Sequence, residues 1–204
     1  MRNNEQGRSM IEMLGVLAIV GVLSVGGIAG YSKAMNKFKA NKLIDQITMI
    51  STNVKTIFSG QRTYNGLTLG IASQVGILPA EMYTEAKSNL ASTDVTHAFG
   101  GTVALEAATL NNATANDEMA YILTVKDVPT DACVAVLTTD FGSDATVAYG
   151  TAEVKDLTVA NASLDTLDTK IVSPTSKKGM PFTVVSAKTA CGNDATTTIY
   201  FKFK

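Results

Sequence analysis

MLGVLAIVGVLSVGGIAGYS, residues 13–32, contains no charged side chain. A run of about twenty such residues is the length an α-helix needs to cross ~30 Å of hydrocarbon. It is apolar on every side, unlike an amphipathic helix that lies along a membrane surface. Toward the C terminus the pattern changes without a break. Met35, Phe38, Leu43, Ile47, Ile50, Val54 and Ile57 recur at spacings of three to five, one apolar stripe on an otherwise polar helix. No proline occurs between Met1 and Leu78, and Ser59-Gly60 is the first plausible stop, glycine being suited to a left-handed helix end. The spacing predicts one helix from about Ser9 to Ser59, ~75 Å long at 1.5 Å per residue. Its first half suits lipid and its second half suits a globular domain. A cleaved secretory signal is the competing reading. Against it, the apolar core is long, the leading MRNNEQG carries one Arg and one Glu, and the helix continues past the apolar run.

Composition narrows the function classes. The 204 residues hold 17 Lys+Arg against 18 Asp+Glu, a net charge of −1, without the basic excess expected of a nucleic-acid binder. Tryptophan is absent, and the single histidine, His97, nearly closes the route to a histidine-based metal site or a Ser-His-Asp arrangement. Cys133 and Cys191 belong to no CxxC pair, so zinc and thioredoxin readings have no support. Asp140, Asp144, Asp156, Asp165 and Asp168 lack EF-hand spacing and read as solvated surface. Gly100-Gly101 lacks the lysine and spacing of a phosphate loop. The expectation is no catalytic residue, no metal, no cofactor and no specific nucleic acid.

Three features cluster around the apolar run. Glu12 stands at its start, where a carboxylate is either paired and functional or an interfacial anion favoured by the helix dipole. The residues alone leave both open. Gly15, Gly21, Gly26, Gly27 and Gly30 stud the run; they permit close helix approach, and Gly26-Gly27 is the expected place for the helix to loosen. Lys33, Lys37, Lys39 and Lys42 follow it directly. The positive-inside rule would hold them on the cytoplasmic side; otherwise they solvate the helix or touch anionic headgroups.

Gly7 followed by RSMIEMLGVLAIVGVLSVGG resembles the leader-peptidase site of type IV prepilins and pseudopilins. That family pattern is a short polar leader ending in glycine, a glutamate as fifth residue of the mature chain, then an apolar helix. The resemblance implies a cut between Gly7 and Arg8, leaving 204 − 7 = 197 residues with Glu12 in fifth place. It implies a new α-amino group that pairs with Glu12 of a neighbouring subunit, each neutralising a charge stranded among apolar groups. In the family this amine is methylated, and the mature chain usually begins with Phe, Met or Leu, where this one has Arg8. The implied partners are copies of the chain itself in a helical homopolymer, prepilin peptidase, the pilus assembly machinery and, before assembly, the bacterial inner membrane. The implied destination is a cell-surface pilus.

The remainder is similar to type IVb, PilS-type (toxin-coregulated-pilus-like) pilins in NGLTLGIASQVGILPAEM, in MAYILTVKDVPTDACVAVL and in TACGNDATTTIYFKF. What this implies is an α+β ladle, a long N-terminal helix packed on an antiparallel β-sheet head. The segments are a leader at 1–7, a helix at 8–59 (8–32 for membrane and polymerisation, 33–59 amphipathic) and a head at 60–204. An exported head would oxidise Cys133 and Cys191 to a disulfide bounding residues 133–191; two buried reduced thiols are the alternative. Strands are expected at Met119–Val125, Phe182–Val185 and Thr196–Phe203, and 60–118 reads as loop-like, with NGLTLGIASQVGILPAEM as a short helix followed by an extended approach. PTDACVAVLTTDFG opens with a helix-start signature but is rich enough in Val and Thr to leave a strand open. The function implied is a structural subunit of a type IVb-like pilus or of a conjugative transfer pilus. The alternatives are a minor pilin, a type II secretion pseudopilin, or an anchored binding domain that does not polymerise.

Overall fold

The uncharged run and the stripe behind it form one helix, α1 (Glu5–Phe58), of 54 residues, ~80 Å at 1.5 Å per residue. It is helical through Gly26 and Gly27. The computed structural model describes residues 5–108, 118–142, 145–150 and 181–203. The chain forms two compact units, 1–38 and 39–204. The first is the early part of α1, whose large apolar side chains from Met10 to Tyr31 are 52–75% exposed. It is the single helix among the described residues long and apolar enough to cross a membrane.

In the second unit, Leu43, Ile47, Ile50, Val54 and Phe58 bury one face of α1 in the core. The expected stripe holds in its middle and fails at its ends, because Phe38 and Ile57 are exposed. Phe58 takes the place of Ile57: the chain turns back where Gln61 N–H donates to the Phe58 carbonyl, and this brings Tyr64 within 5.6 Å of the Phe58 ring. The helix is pinned further by Tyr121 Oη donating to the Ser51 carbonyl at 3.4 Å and by Lys55 Nζ 5.9 Å from the Phe203 ring.

The stripe meets a four-stranded antiparallel sheet of order β1-β2-β4-β3, with β1 at Val103–Ala108, β2 at Ala120–Pro129, β3 at Ala145–Gly150 and β4 at Thr196–Phe203. Alternation sets the faces. Leu105, Leu123 and Phe201 lie in one register row and join the core together with Tyr121, Val125, Ile199 and Phe203. Ile122, Thr124, Tyr200 and Lys202 alternate with these and are buried as well. The β2–β4 register shifts between Val125 and Val128, where Asp127 adopts φ 58°, a left-handed conformation that Asp tolerates better than most residues.

Between α1 and the sheet, residues 60–108 carry more structure than the sequence reading gave them. The short helix there is α2 (Leu69–Gln74), capped by Thr68, whose Oγ1 accepts from Ile71 N–H. Gly70 is required by close approach: a Cβ there would lie 2.0 Å from the Ser88 carbonyl oxygen. Asn53 of α1 donates to the carbonyls of Gly76 and Ile77 and so ties the end of this segment to the helix. Strand β1 went unrecognised because its sequence, VALEAA, is poor in β-branched and aromatic residues; pairing to β2 supplies what propensity does not.

Two short helices flank the central strands, α3 (Thr130–Leu137) and α4 (Val184–Cys191). The first resolves the ambiguity of PTDACVAVL in favour of helix, started by Pro129. The second corrects the expected strand at Phe182–Val185. Thr183 caps it by accepting from Ser186 N–H, and its β-branched Val184 and Val185 are left exposed while Ala187 and Cys191 enter the core. A disulfide joins Cys133 of α3 to Cys191 of α4 across a Cα–Cα distance of 6.0 Å, with a sequence separation of 58.

Candidate functional site

The N-terminal residues singled out by sequence all lie on α1. Gly7 and Arg8 are in helical backbone, and Glu12 is at an exposed position at the start of the bare apolar run. Thirteen large apolar side chains from Met10 to Tyr31 face outward. Each one left in water costs on the order of 1–3 kcal/mol relative to burial, so this surface demands lipid or protein. Met1–Asn4 of the expected leader lie outside the described residues, as do Asp144, Asp156, Asp165 and Asp168. Asp140 closes a local turn, its Oδ1 accepting from Gly142 N–H at 2.8 Å. Among the described residues no cluster of His, Cys, Asp and Glu has metal-binding geometry.

The head contains a polar latch that the sequence reading missed. Gln46 sits on the buried side of α1, between Leu43 and Ile50, and is 5% exposed. Its Nε2 donates to Glu81 at 2.7 Å, and its Oε1 accepts from Ala98 N–H at 3.1 Å. Glu81 also pairs with Lys42 at 3.0 Å. The Lys42 ammonium, then the Gln46 amide, hold the Glu81 carboxyl below the usual carboxylate range. Lys39 Nζ lies 5.9 Å from the Phe99 ring. Three residues of one helix face, Lys39, Lys42 and Gln46, therefore hold two loops of the head. The signal available was Gln46 itself, a polar residue at a stripe position that must be satisfied if buried.

His97 anchors the far side of this latch and is 4% exposed. Its Nε2 lies 2.7 Å from the Lys126 carbonyl oxygen, and its Nδ1 accepts from Phe99 N–H at 3.2 Å. That pattern requires the neutral ring with its hydrogen on Nε2. Burial pushes the His97 pKa below its ordinary value, while the Lys126 carbonyl and the Asp127 charge act the other way. A proton added at Nδ1 would face the Phe99 N–H, donor against donor. The unfolded chain takes up that proton near pH ~6.5; the folded chain resists until lower pH. Stability from His97 is therefore present above pH ~6.5 and falls as pH drops toward the depressed folded value. Urea unfolding should show this loss between neutrality and mild acid, and His97→Asn, which keeps an acceptor for Phe99 N–H, should flatten that part of the profile. Because His97 is the sole histidine, its ring resonances report the titration without assignment.

The chain as a whole is similar to known proteins. The PilS model (PilS N terminal) matches residues 37–203. The major structural subunit of bundle-forming pilus from Escherichia coli O111:H- is 27% identical over 203 residues, 98% of this chain and 95% of that one. The protein of the same description from Escherichia coli O127:H6 (strain E2348/69 / EPEC) is 28% identical over 141 residues, 69% of this chain and 68% of that one. Among solved structures, TcpA, a type IV pilin from Vibrio cholerae El Tor biotype, aligns with a TM-score of 0.51 at 13% identity, over 81% of this chain and 99% of that chain; at that identity the likeness is one of fold. A type IV b pilin from Salmonella typhi aligns at 16% identity over 79% of this chain and 97% of that one, with a TM-score of 0.47. The family match runs from the last membrane-proximal lysines of α1 to the end of β4, well over half of the sequence, and the chain belongs to the PilS family.

Proposed function

We propose that this chain is the structural subunit of a type IVb-like pilus, held in the inner membrane as a precursor and exported into a surface filament. The observation that carries the reading is the division of α1. One end carries exposed large apolar side chains from Met10 to Tyr31, and the other is buried in a disulfide-bonded head. A lone anchor has no use for a helix continuous with the head. In a polymer the same surface exchanges lipid for the apolar helices of neighbouring subunits. Relatives described as major structural subunits of a bundle-forming pilus support the reading.

The precursor is cut by prepilin peptidase between Gly7 and Arg8, and the freed amine pairs with Glu12 of an adjacent subunit during assembly by the pilus machinery. Gly26 and Gly27 supply a weak stretch at which α1 can loosen as it packs, since interior glycine costs up to ~1 kcal/mol against alanine. The test is the N-terminal sequence and intact mass of the mature protein from cells with and without the peptidase. A start at Arg8 that depends on the enzyme is expected. An intact Met1, or a cut after the apolar run near Ala29, would return the chain to an anchored or secreted role.

A further inference from the structure

Four lysines follow the apolar run, and their contacts sort them into two pairs. Lys39 lies against Phe99 and Lys42 against Glu81. Lys33 and Lys37 are exposed, one helical turn apart, and make no ion pair or aromatic contact among the described residues. Distance along the helix separates the same two pairs. Measured from Ser32, where the uncharged run ends, Lys33 and Lys37 stand ~1.5 and ~8 Å beyond it, Lys39 and Lys42 ~10 and ~15 Å, at 1.5 Å per residue. The polar headgroup layer on one side of a bilayer is ~5–8 Å thick. The first pair falls within that layer and the second beyond it. Tyr31 and Phe38 bracket the first pair and are 68% and 61% exposed. Tyrosine, with an apolar ring and a polar tip, suits the headgroup level of a membrane.

We infer that Lys33 and Lys37 form a binding site for anionic phospholipid headgroups, which fixes the depth of the unassembled subunit in the membrane. The inference rests on the membrane-inserted precursor proposed above. It also relieves the conflict with the positive-inside rule. Lys39 and Lys42 are already engaged by Phe99 and Glu81 of the head, and lipid phosphates neutralise Lys33 and Lys37, so export of the head leaves none of these four without a partner. The shared chemistry is an anionic phosphate at the surface; the free flexible ends of the two side chains reach it while their methylene stems lie along the apolar boundary.

The test is lysine acetylation of the full chain in lipid nanodiscs, read residue by residue by mass spectrometry. Discs of phosphatidylcholine alone are compared with discs that also contain phosphatidylglycerol, and inorganic phosphate is added separately to the first. In the anionic discs, acetylation of Lys33 and Lys37 is expected to slow about fivefold each, with recovery in high salt, while the exposed head residues Lys126 and Lys188 are unaffected. Free phosphate should not reproduce the effect. Equal rates in both discs, or slowing shared by Lys126 and Lys188, would overturn the site while leaving the membrane reading intact. A chain that enters neither disc overturns the membrane reading and the lipid site with it.

Discussion

Replacing Cys133 and Cys191 together with alanine is expected to lower the stability of the head by about 2–4 kcal/mol. The bridge closes a sequence separation of 58 residues, for which loop-closure entropy alone gives about 4 kcal/mol as an upper figure. The bond also sits in the core. Both sulfurs are buried, and the bond ties α3 to α4, which lead out of β2 and into β4, the neighbouring central strands. Thr130 Oγ1 donates to the Asp194 carbonyl and reinforces the same junction. A chain of this size loses roughly 2–4 °C of melting temperature per kcal/mol, so the double variant should melt about 5–15 °C lower. Denaturant unfolding of the full chain in detergent, oxidised against the double alanine variant, is the measurement. An unchanged midpoint would mean that packing of α3 and α4 suffices without the bond. Reduction of the wild-type chain should reproduce the shift, which separates loss of the bond from any effect of the alanines.

Much of this fold was legible because its strongest signals are long and periodic. An uncharged run of twenty residues and a stripe at helical spacing have few other solutions, and the helix ends within a few residues of where Ser59-Gly60 put it. Strand β4 is equally plain, since TTTIYFKF alternates and is rich in residues that suit a half-buried pleat. The failures have two causes, tertiary pairing that overrides local preference and a local helix cap. VALEAA pairs as β1 in spite of its alanines, and Phe182–Val185 becomes the cap and first turn of α4 because Thr183 satisfies the helix N terminus. The candidate site divides the same way. Glu12 and the apolar run can be read from order alone. The contacts among Lys42, Gln46, Glu81, His97, Ala98 and Lys126 join residues up to 52 positions apart, and nothing in linear spacing brings them together.

Glu12→Lys is expected to leave the precursor in the membrane and to abolish fibres. The apolar run from Met13 to Ser32 is unchanged by the substitution, so insertion, which depends on that run, should proceed at normal yield. Assembly differs, because it removes the helix ends from contact with headgroups and water. A carboxylate placed there among apolar side chains needs a cation, and the amine freed at Arg8 is the one that the proposed cut creates. Removing one member of a buried ion pair costs about 3–5 kcal/mol, a factor of some hundreds or more in each subunit contact, repeated at every step of a filament. Lysine goes further and sets two positive charges against one another. Glu12→Gln separates the parts of the argument: it keeps the shape and a hydrogen-bonding oxygen but loses the charge, so fibres should be fewer, not absent. The readout is membrane fractionation beside electron microscopy of the cell surface, with cleavage at Gly7 checked in each variant. Normal fibres from Glu12→Lys would remove the pairing, and assembly would then have to rest on the apolar faces of α1 alone.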